Sequence, residues 1–240
     1  MNKRTENALI VFVKAPRLRQ VKTRLQPELT AEQSLQLYRA IVEGIVTRMR
    51  SNNAWDIKIF FTPAEALAEI TAWLGDMLDY FPQQGDNLGD KMHHAIAECL
   101  HQGYEKVVLV GSDIPTLDVD TVLQAFSCLS ECDVVIGPTD DGGYYLIGMK
   151  SNHTRLFENI YWSTDQVLQQ SIQQARKLEL QIKQLKVLFD IDTHHDVEKL
   201  WKMVQSLPVN SYSAIILEKT YTTLKQFIQV EQNIYKNERG

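Results

Sequence analysis

Residues 108–118 read VLVGSDIPTLD. The aliphatic run from Val107 to Val110 stops at Gly111, as a short strand buried on both faces does. The turn that follows puts the Asp113 carboxylate at the strand's carboxyl end. Ile114-Pro115 fixes that turn, because proline locks its own φ and restricts the residue before it. Asp118, ahead of Val119, Val122 and Leu123, marks the start of a helix. Working outward, ALIVFV (8–13), DIKIFFT (56–62) and DVVIGP (133–138) are runs of the same kind, with LDYFP (78–82) a weaker one. Between them, apolar residues recur at helical spacing over 30–50, 64–74, 89–102 and 118–129, and Thr30 with Gln33 forms a capped helix start. This alternation predicts a three-layer α/β/α fold around a mostly parallel central sheet, with ligands beyond the carboxyl ends of the strands.

After residue 138 the pattern changes. GGYYLIGM (142–149) reads as a strand, 164–179 as a polar, Gln-rich helix, IKQLKVLFDID (182–192) as a segment ending in another strand, and 194–207 as a helix. The expected organisation is one domain over 1–207 with a helical appendage over 208–240, where Tyr212, Ile215, Ile216, Leu224, Phe227, Ile228 and Ile234 supply apolar positions. The appendage either packs on the body or builds a homodimer.

Composition narrows the function classes. The 240 residues are 44% apolar and 23% charged, ordinary for a globular chain. Lys+Arg 25 against Asp+Glu 30 leaves a net charge of -5, the wrong sign for a general binder of nucleic acid or anionic membrane. Cys99, Cys128 and Cys132 form no CxxC pair, so neither a disulfide framework nor a zinc site is expected. No apolar run is long enough to span a membrane. The N-terminal apolar stretch ends at Lys14, too short for a signal peptide, so a cytoplasmic location is expected.

Several constellations carry chemistry. In KAPRLRQVKTRL (14–25), the cations Lys14, Arg17, Arg19, Lys22 and Arg24 follow the first strand of an otherwise acidic chain. A basic loop there suits phosphate, although no Walker loop is present. Lys22 and Arg24, flanked by Val21 and Leu25, are the best anchored. An acid held opposite such a loop, as Asp113 would be, is the usual way to hold Mg²⁺ or Mn²⁺ against a diphosphate. In FDIDTHHDV (189–197), Asp190 and Asp192 alternate with Phe189 and Ile191, so as a strand they share one face and call for a cation between them. His194 and His195 are adjacent and share no face, which argues against zinc; Asp196 caps or leads into the last helix. In GPTDDGGYYLIG (137–148), Asp140, Asp141, Gly142 and Gly143 make either a plain hairpin turn or a place where a ligand approaches backbone. In QQGDNLGDKM (83–92), Gly85, Asp86, Leu88 and Gly89 open a helix whose first N–H groups would face a ligand anion. Trp162 precedes a helix for which Ser163 or Thr164 would be the N-cap. No GxSxG elbow is present for a serine nucleophile.

Taken in order, VKAP (13–16), VKTRL (21–25), GDNLGDKM (85–92), VLVGSDIPTLD, DVVIGPTDDGGYYLIGM (133–149), LFENIYWST (156–164) and DIDTHHDV (190–197) resemble one family. It is the bacterial DUF2064 group of glycosyltransferase-like proteins, in the nucleotide-diphospho-sugar transferase superfamily with its GT-A fold. More distantly, the layout is similar to 2-phospho-L-lactate guanylyltransferase and molybdenum-cofactor guanylyltransferase. The resemblance covers residues 8 to about 205 and implies that Lys22 and Arg24 contact phosphates, that Asp113 binds the metal and that Asp192 is its second ligand. The sequence departs from the family where Leu18-Arg19 replace a usual Pro-Gly and His194-His195 a usual Pro-Glu.

The reading that follows is a transferase dependent on Mg²⁺ or Mn²⁺ that uses a nucleotide sugar and a small-molecule acceptor. Asp113 and Asp141 are its catalytic candidates, and Asp140, Gly142, Gly143 and Trp162 serve the sugar or acceptor. A nucleotidyltransferase releasing pyrophosphate from a nucleoside triphosphate is the alternative on the same scaffold, and a non-catalytic nucleotide- or sugar-binding protein the alternative of another class.

Overall fold

A computed structural model describes residues 5–26 and 28–206, together with Thr220 and Thr223. The strands are β1 (Asn7–Lys14), β2 (Asp56–Thr62), β3 (Asp79–Pro82), β4 (Lys106–Val110), β5 (Val134–Pro138), β6 (Tyr144–Met149) and β7 (Ile182–Gln184). The helices are α1 (Ala31–Arg50), α2 (Leu67–Leu74), α3 (Leu88–His101), α4 (Val119–Cys128), α5 (Val167–Lys177) and α6 (His194–Ser206), with short 3-10 turns at Thr23–Leu25, Ala64–Ala66 and Thr154–Phe157. Apart from Thr220 and Thr223, the appendage expected over 208–240 lies outside the described residues. The chain forms two compact units. One holds the described residues of 1–15, 48–112 and 117–189, the other those of 16–47, 113–116 and 190–240.

The first unit contains the whole seven-stranded sheet, in the order β3-β2-β1-β4-β6-β5-β7. All strands run the same way except β6, which pairs antiparallel with β4 and β5. The cause is local: the turn over 139–143 is too short for a parallel crossover and closes a hairpin instead. Alternate side chains of β1 and β4 explain the layers. Ala8, Ile10, Phe12, Val107 and Leu109 pack with Met92, Ala95, Ile96 and Cys99 of α3, and with Leu156, Phe157 and Ala175. On the other face, Val108 and Val135 close on Gly148 together with Leu129, which follows α4. Two helical layers thus cover the sheet, and the α/β/α expectation holds. Each large aliphatic side chain buried this way is worth about 1.5–3 kcal/mol, enough for continuous apolar strands to need no polar face.

One strand departs from expectation. The ladder of β7 ends at Gln184, and residues 189–192 belong to no strand. Against β6, β5 shifts register at Gly137/Pro138, and Pro138 has no N–H to donate. Beyond the β7 ladder, Leu185 N donates to Ile136 O at 2.9 Å and an isolated bridge pairs Thr139 with Leu188, but no strand forms. Asp190 and Asp192 are therefore not placed by strand alternation. Helix starts agree better. Thr30 and Gln33 exchange bonds, Thr30 N to Gln33 Oε1 at 2.8 Å and Gln33 N to Thr30 Oγ1 at 3.2 Å. The α5 helix starts later than read, with Gln166 at its N-cap, while Thr164 Oγ1 donates to the Tyr161 carbonyl.

Asp118 caps α4 by accepting the Thr121 N–H at 2.7 Å, and its other oxygen meets Lys186 Nζ at 2.9 Å. Burial opposes ionisation, but the Thr121 hydrogen bonds and Lys186 outweigh it and hold the carboxyl below the ordinary carboxylate range. A depressed folded value means stability that is present above the unfolded value and lost as pH falls through the folded one. Asp118→Ala is expected to cost about 1–2 kcal/mol at neutral pH, read from urea unfolding. The gap to the parent should shrink below about pH 3.9; an undiminished gap there would contradict the assignment.

Candidate active site

The second unit brings together four of the residues singled out from sequence. Gln20 N donates to Arg17 O at 3.1 Å, closing a turn in which Arg19 has φ +61°. That is the left-handed conformation glycine favours, kept here by an arginine. Lys22 follows at φ +49° and leads into the Thr23–Leu25 turn. Val21 and Leu25, 3% and 0% exposed, pin this stretch on either side. The Lys22 side chain, 4% exposed, is held inward. Its Nζ lies 2.6 Å from Asp113 Oδ1 and 3.1 Å from Asp192 Oδ1. Arg24, whose side chain is 72% exposed, reaches Asp192 Oδ2 through Nη1 at 3.1 Å.

Two local devices bring the carboxylates to one ammonium. Asp113 follows β4 by three residues, and its carbonyl accepts the Ile191 N–H at 3.1 Å, tying 113 to 191 where no ladder exists. Ile114 and Ile191 on this link are buried. Asp196 Oδ2 accepts Thr193 N and Thr193 Oγ1 at 2.7 Å each and Asp192 N at 3.2 Å. Asp196 thereby organises the start of α6, in keeping with the capping role read for it, and fixes the backbone of Asp192 while leaving the Asp192 carboxylate to the cations. Burial of Lys22 would lower its pKa, but Asp113 and Asp192 together outweigh that and hold the ammonium above the ordinary lysine value.

The remaining candidates lie in the first unit. Lys14 ends β1, exposed. At the start of α3, Asn87 Oδ1 accepts Asp90 N at 3.0 Å, and Asp90 Oδ2 accepts Asp86 N at 3.3 Å and Asn87 Nδ2 at 2.8 Å. One backbone donor read as facing a ligand anion is thus taken by Asp90, a carboxylate that the helix N-terminus itself favours. Leu88 is exposed, while Gly89 is buried under the Trp162 indole, which a Cβ there would meet at 2.4 Å. Gly85 has φ +126°, and a Cβ on it would meet Asp90 Cβ at 2.4 Å. Trp162 also stands edge-on to Tyr144, ring centroids 6.5 Å apart, so it joins α3 to β6. In the 139–143 turn, Asp141 Oδ1 accepts Thr139 Oγ1 at 2.6 Å and Gly143 N at 3.1 Å. Gly142, φ +90°, accepts Leu168 N at 2.9 Å, and a Cβ on it would sit 2.1 Å from the Asp165 carbonyl oxygen. At Gly142 the close approach of another backbone is made by the chain's own Asp165. Asp140 and Asp141 are exposed.

Asn87, Asp90 and Asp165 were not singled out from sequence; for the first two, the N-x-x-D spacing before an apolar run was the available signal. Among the described residues no three His, Cys, Asp or Glu side chains cluster to hold a metal unaided. His194 Nε2 lies 3.6 Å from Glu198 Oε1 on α6. Asp113 and Asp192 suit Mg²⁺ or Mn²⁺, which take one or two protein carboxylates and complete their shell with water and substrate phosphate.

The family model described as "Uncharacterized protein conserved in bacteria (DUF2064)" matches residues 45–164. A solved structure from Desulfovibrio desulfuricans G20, described as a "putative nucleotide-diphospho-sugar transferase", superimposes with TM-score 0.83 at 32% identity, covering 93% of this chain and 98% of that one. A phosphoenolpyruvate guanylyltransferase of Sphaerobacter thermophilus is 25% identical over 195 residues, 80% of this chain and 91% of that protein. Rv0371c of Mycobacterium tuberculosis H37Rv, solved in complex with manganese, shares the fold at TM-score 0.51 and 15% identity, covering 83% of this chain and all of that one. The fold is that of nucleotide-diphospho-sugar transferases and nucleotidyltransferases.

Two outcomes follow from the geometry. Replacing Arg19 by glycine removes a left-handed penalty of about 1–2 kcal/mol and restores unfolded-chain freedom worth about 0.5–1 kcal/mol. Arg19→Gly should therefore match or exceed the parent in urea unfolding, by up to about 1 kcal/mol; a clear loss would contradict the turn assignment. For Lys22, a raised folded value means stability present below the unfolded value and lost as pH rises through the folded one. The parent's melting temperature should fall more steeply above about pH 10.4 than that of Lys22→Met, and parallel curves would contradict the pairing.

Proposed function

The chain belongs to the DUF2064 family, and from that premise we propose that it is a divalent-metal-dependent transferase that takes its donor group from a nucleotide sugar. The observation that carries the reading is the convergence of Lys22 and Arg24 with Asp113 and Asp192. Asp113 and Asp192 would hold the cation. When bound, that cation supplies Lewis-acid charge to a diphosphate.

The chain's own residues account for the rest. Lys22 and Arg24 meet negative charge on the departing nucleoside diphosphate as the bond between the sugar's anomeric carbon and the phosphate oxygen breaks, the electron pair leaving with that oxygen. Lys14 and the turn at Gly85, Asp86, Leu88 and Gly89 are assigned to the nucleotide. Asp140, Gly142, Gly143 and Trp162 are assigned to the sugar and acceptor. The acceptor hydroxyl attacks the anomeric carbon and must give up its proton; Asp141, in the sheet-bearing unit, is the candidate base. Asp141 can take it only through Oδ2, because Oδ1 already accepts two hydrogen bonds. The 32% identity with the Desulfovibrio protein over nearly the whole chain supports sugar transfer.

A second reading is nucleotidyl transfer, in which an acceptor attacks the α-phosphate of a nucleoside triphosphate and pyrophosphate leaves. It is favoured by the guanylyltransferase relative and by the cations a pyrophosphate leaving group needs. Location in the cytoplasm belongs to either reading; among the described residues no helix is long and apolar enough to cross a membrane.

Melting curves with Mg²⁺ and panels of nucleotide sugars and nucleoside triphosphates, paired with assays of released diphosphate and pyrophosphate, separate these readings. Stabilisation by a nucleotide sugar with release of nucleoside diphosphate is expected. Pyrophosphate release from a triphosphate would give precedence to the second reading, and binding without turnover would leave a binding protein. Asp113→Asn should stay folded and lose at least about tenfold in Mg²⁺-dependent nucleotide affinity; unchanged affinity would remove the metal role of Asp113.

A further inference from the structure

This inference rests on the reading of Asp113 and Asp192 as the metal seat. The point at which those two carboxylates meet is filled by the Lys22 ammonium, at 2.6 Å and 3.1 Å. A divalent cation bridging the same two oxygens needs that volume, so ammonium and metal exclude one another there. Charge leads to the same conclusion. The ammonium already supplies positive charge to both carboxylates there, and Arg24 supplies more to Asp192. A nucleotide changes the balance, because its phosphates offer the ammonium another anion. A lysine head on four methylenes can cross several ångströms by rotation about its side-chain bonds, without moving the backbone that Val21 and Leu25 pin.

We propose that the Lys22 ammonium is a stand-in for the divalent cation. It closes the seat between Asp113 and Asp192 in the ligand-free protein and yields it only when nucleotide phosphate draws the ammonium away, so that metal and nucleotide load together. The two bindings are then positively coupled, and the coupling is reciprocal. Metal without nucleotide binds weakly, which keeps the site from standing loaded and open to water. Lys22 acts here as a positioning residue with two anionic partners, carboxylate in one state and phosphate in the other.

The test is Mn²⁺ binding followed by electron paramagnetic resonance on the full chain, first with Mn²⁺ alone and then with nucleoside diphosphates added. The parent should bind Mn²⁺ alone weakly and gain affinity with a nucleoside diphosphate. Lys22→Met should bind Mn²⁺ alone at least about tenfold tighter than the parent, lose most of the nucleotide-dependent gain, and lose the tight site when Asp113→Asn is added. Lys22→Arg, which keeps the charge, should remain weak. If Lys22→Met does not fold, Lys22→Gln carries the same expectation. A folded neutral variant that binds Mn²⁺ no tighter than the parent, while the parent still gains Mn²⁺ affinity with nucleotide, overturns the stand-in role and leaves the metal seat intact. If the parent takes up no Mn²⁺ even with nucleotide, the metal seat itself fails and the stand-in role with it.

Discussion

A lysine ammonium taken almost wholly out of water has to find anions, and the arrangement of the second unit follows from that need. Lys22 is buried between Asp113 and Asp192, which come from distant parts of the chain, and the removal of either carboxylate would leave a desolvated positive charge short of a partner. The same demand explains why the loop tolerates left-handed backbone at Arg19 and Lys22. Backbone strain of about 1–3 kcal/mol per residue persists where surrounding contacts over-determine the conformation, and here the buried flanks Val21 and Leu25 do so. Arginine at position 19 keeps the turn and adds a cation to it.

Each element near the cluster has a definable task. The Asp113 carbonyl receives the Ile191 N–H, which ties residues 113 and 191 outside any ladder. Asp196 spends its acceptor capacity on Thr193 and on the Asp192 backbone, which settles the start of α6 and orients its neighbour. In the sheet-bearing unit the corresponding economy is steric. Gly142 admits the Asp165 backbone and Gly89 admits the Trp162 ring, so both segments are packed by the chain itself.

Much of this was legible in the sequence because it rests on short-range rules. The aliphatic runs at 8–13, 56–62, 106–111 and 133–138 hold strands, and Thr30 and Asp118 became helix caps, since periodicity and capping depend on neighbours within a few residues. Asp113 was legible for the same reason, at the end of a strand with proline fixing the turn. What was not legible depended on pairing across the chain. The insertion of β6 between β4 and β5 is a choice of partner that no local pattern encodes. Asp192 was read as a strand residue, yet its position comes from Asp196 and from the tie to Asp113. The partners of Lys22 were equally hidden: anchoring by Val21 and Leu25 could be read, the carboxylates it would meet could not. The Asp140–Gly143 turn was open between turn and ligand contact, and the docking of Gly142 on Asp165 accounts for its glycine.

The account comes down to whether a metal ion and the Lys22 ammonium take turns at one position. A crystal grown with Mn²⁺ and a non-hydrolysable nucleotide sugar, with data collected at the manganese absorption edge, addresses this directly. The account predicts an anomalous peak in contact with both Asp113 and Asp192, with the Lys22 side chain swung onto phosphate. A manganese peak elsewhere, with Lys22 still seated between the two carboxylates, would contradict it.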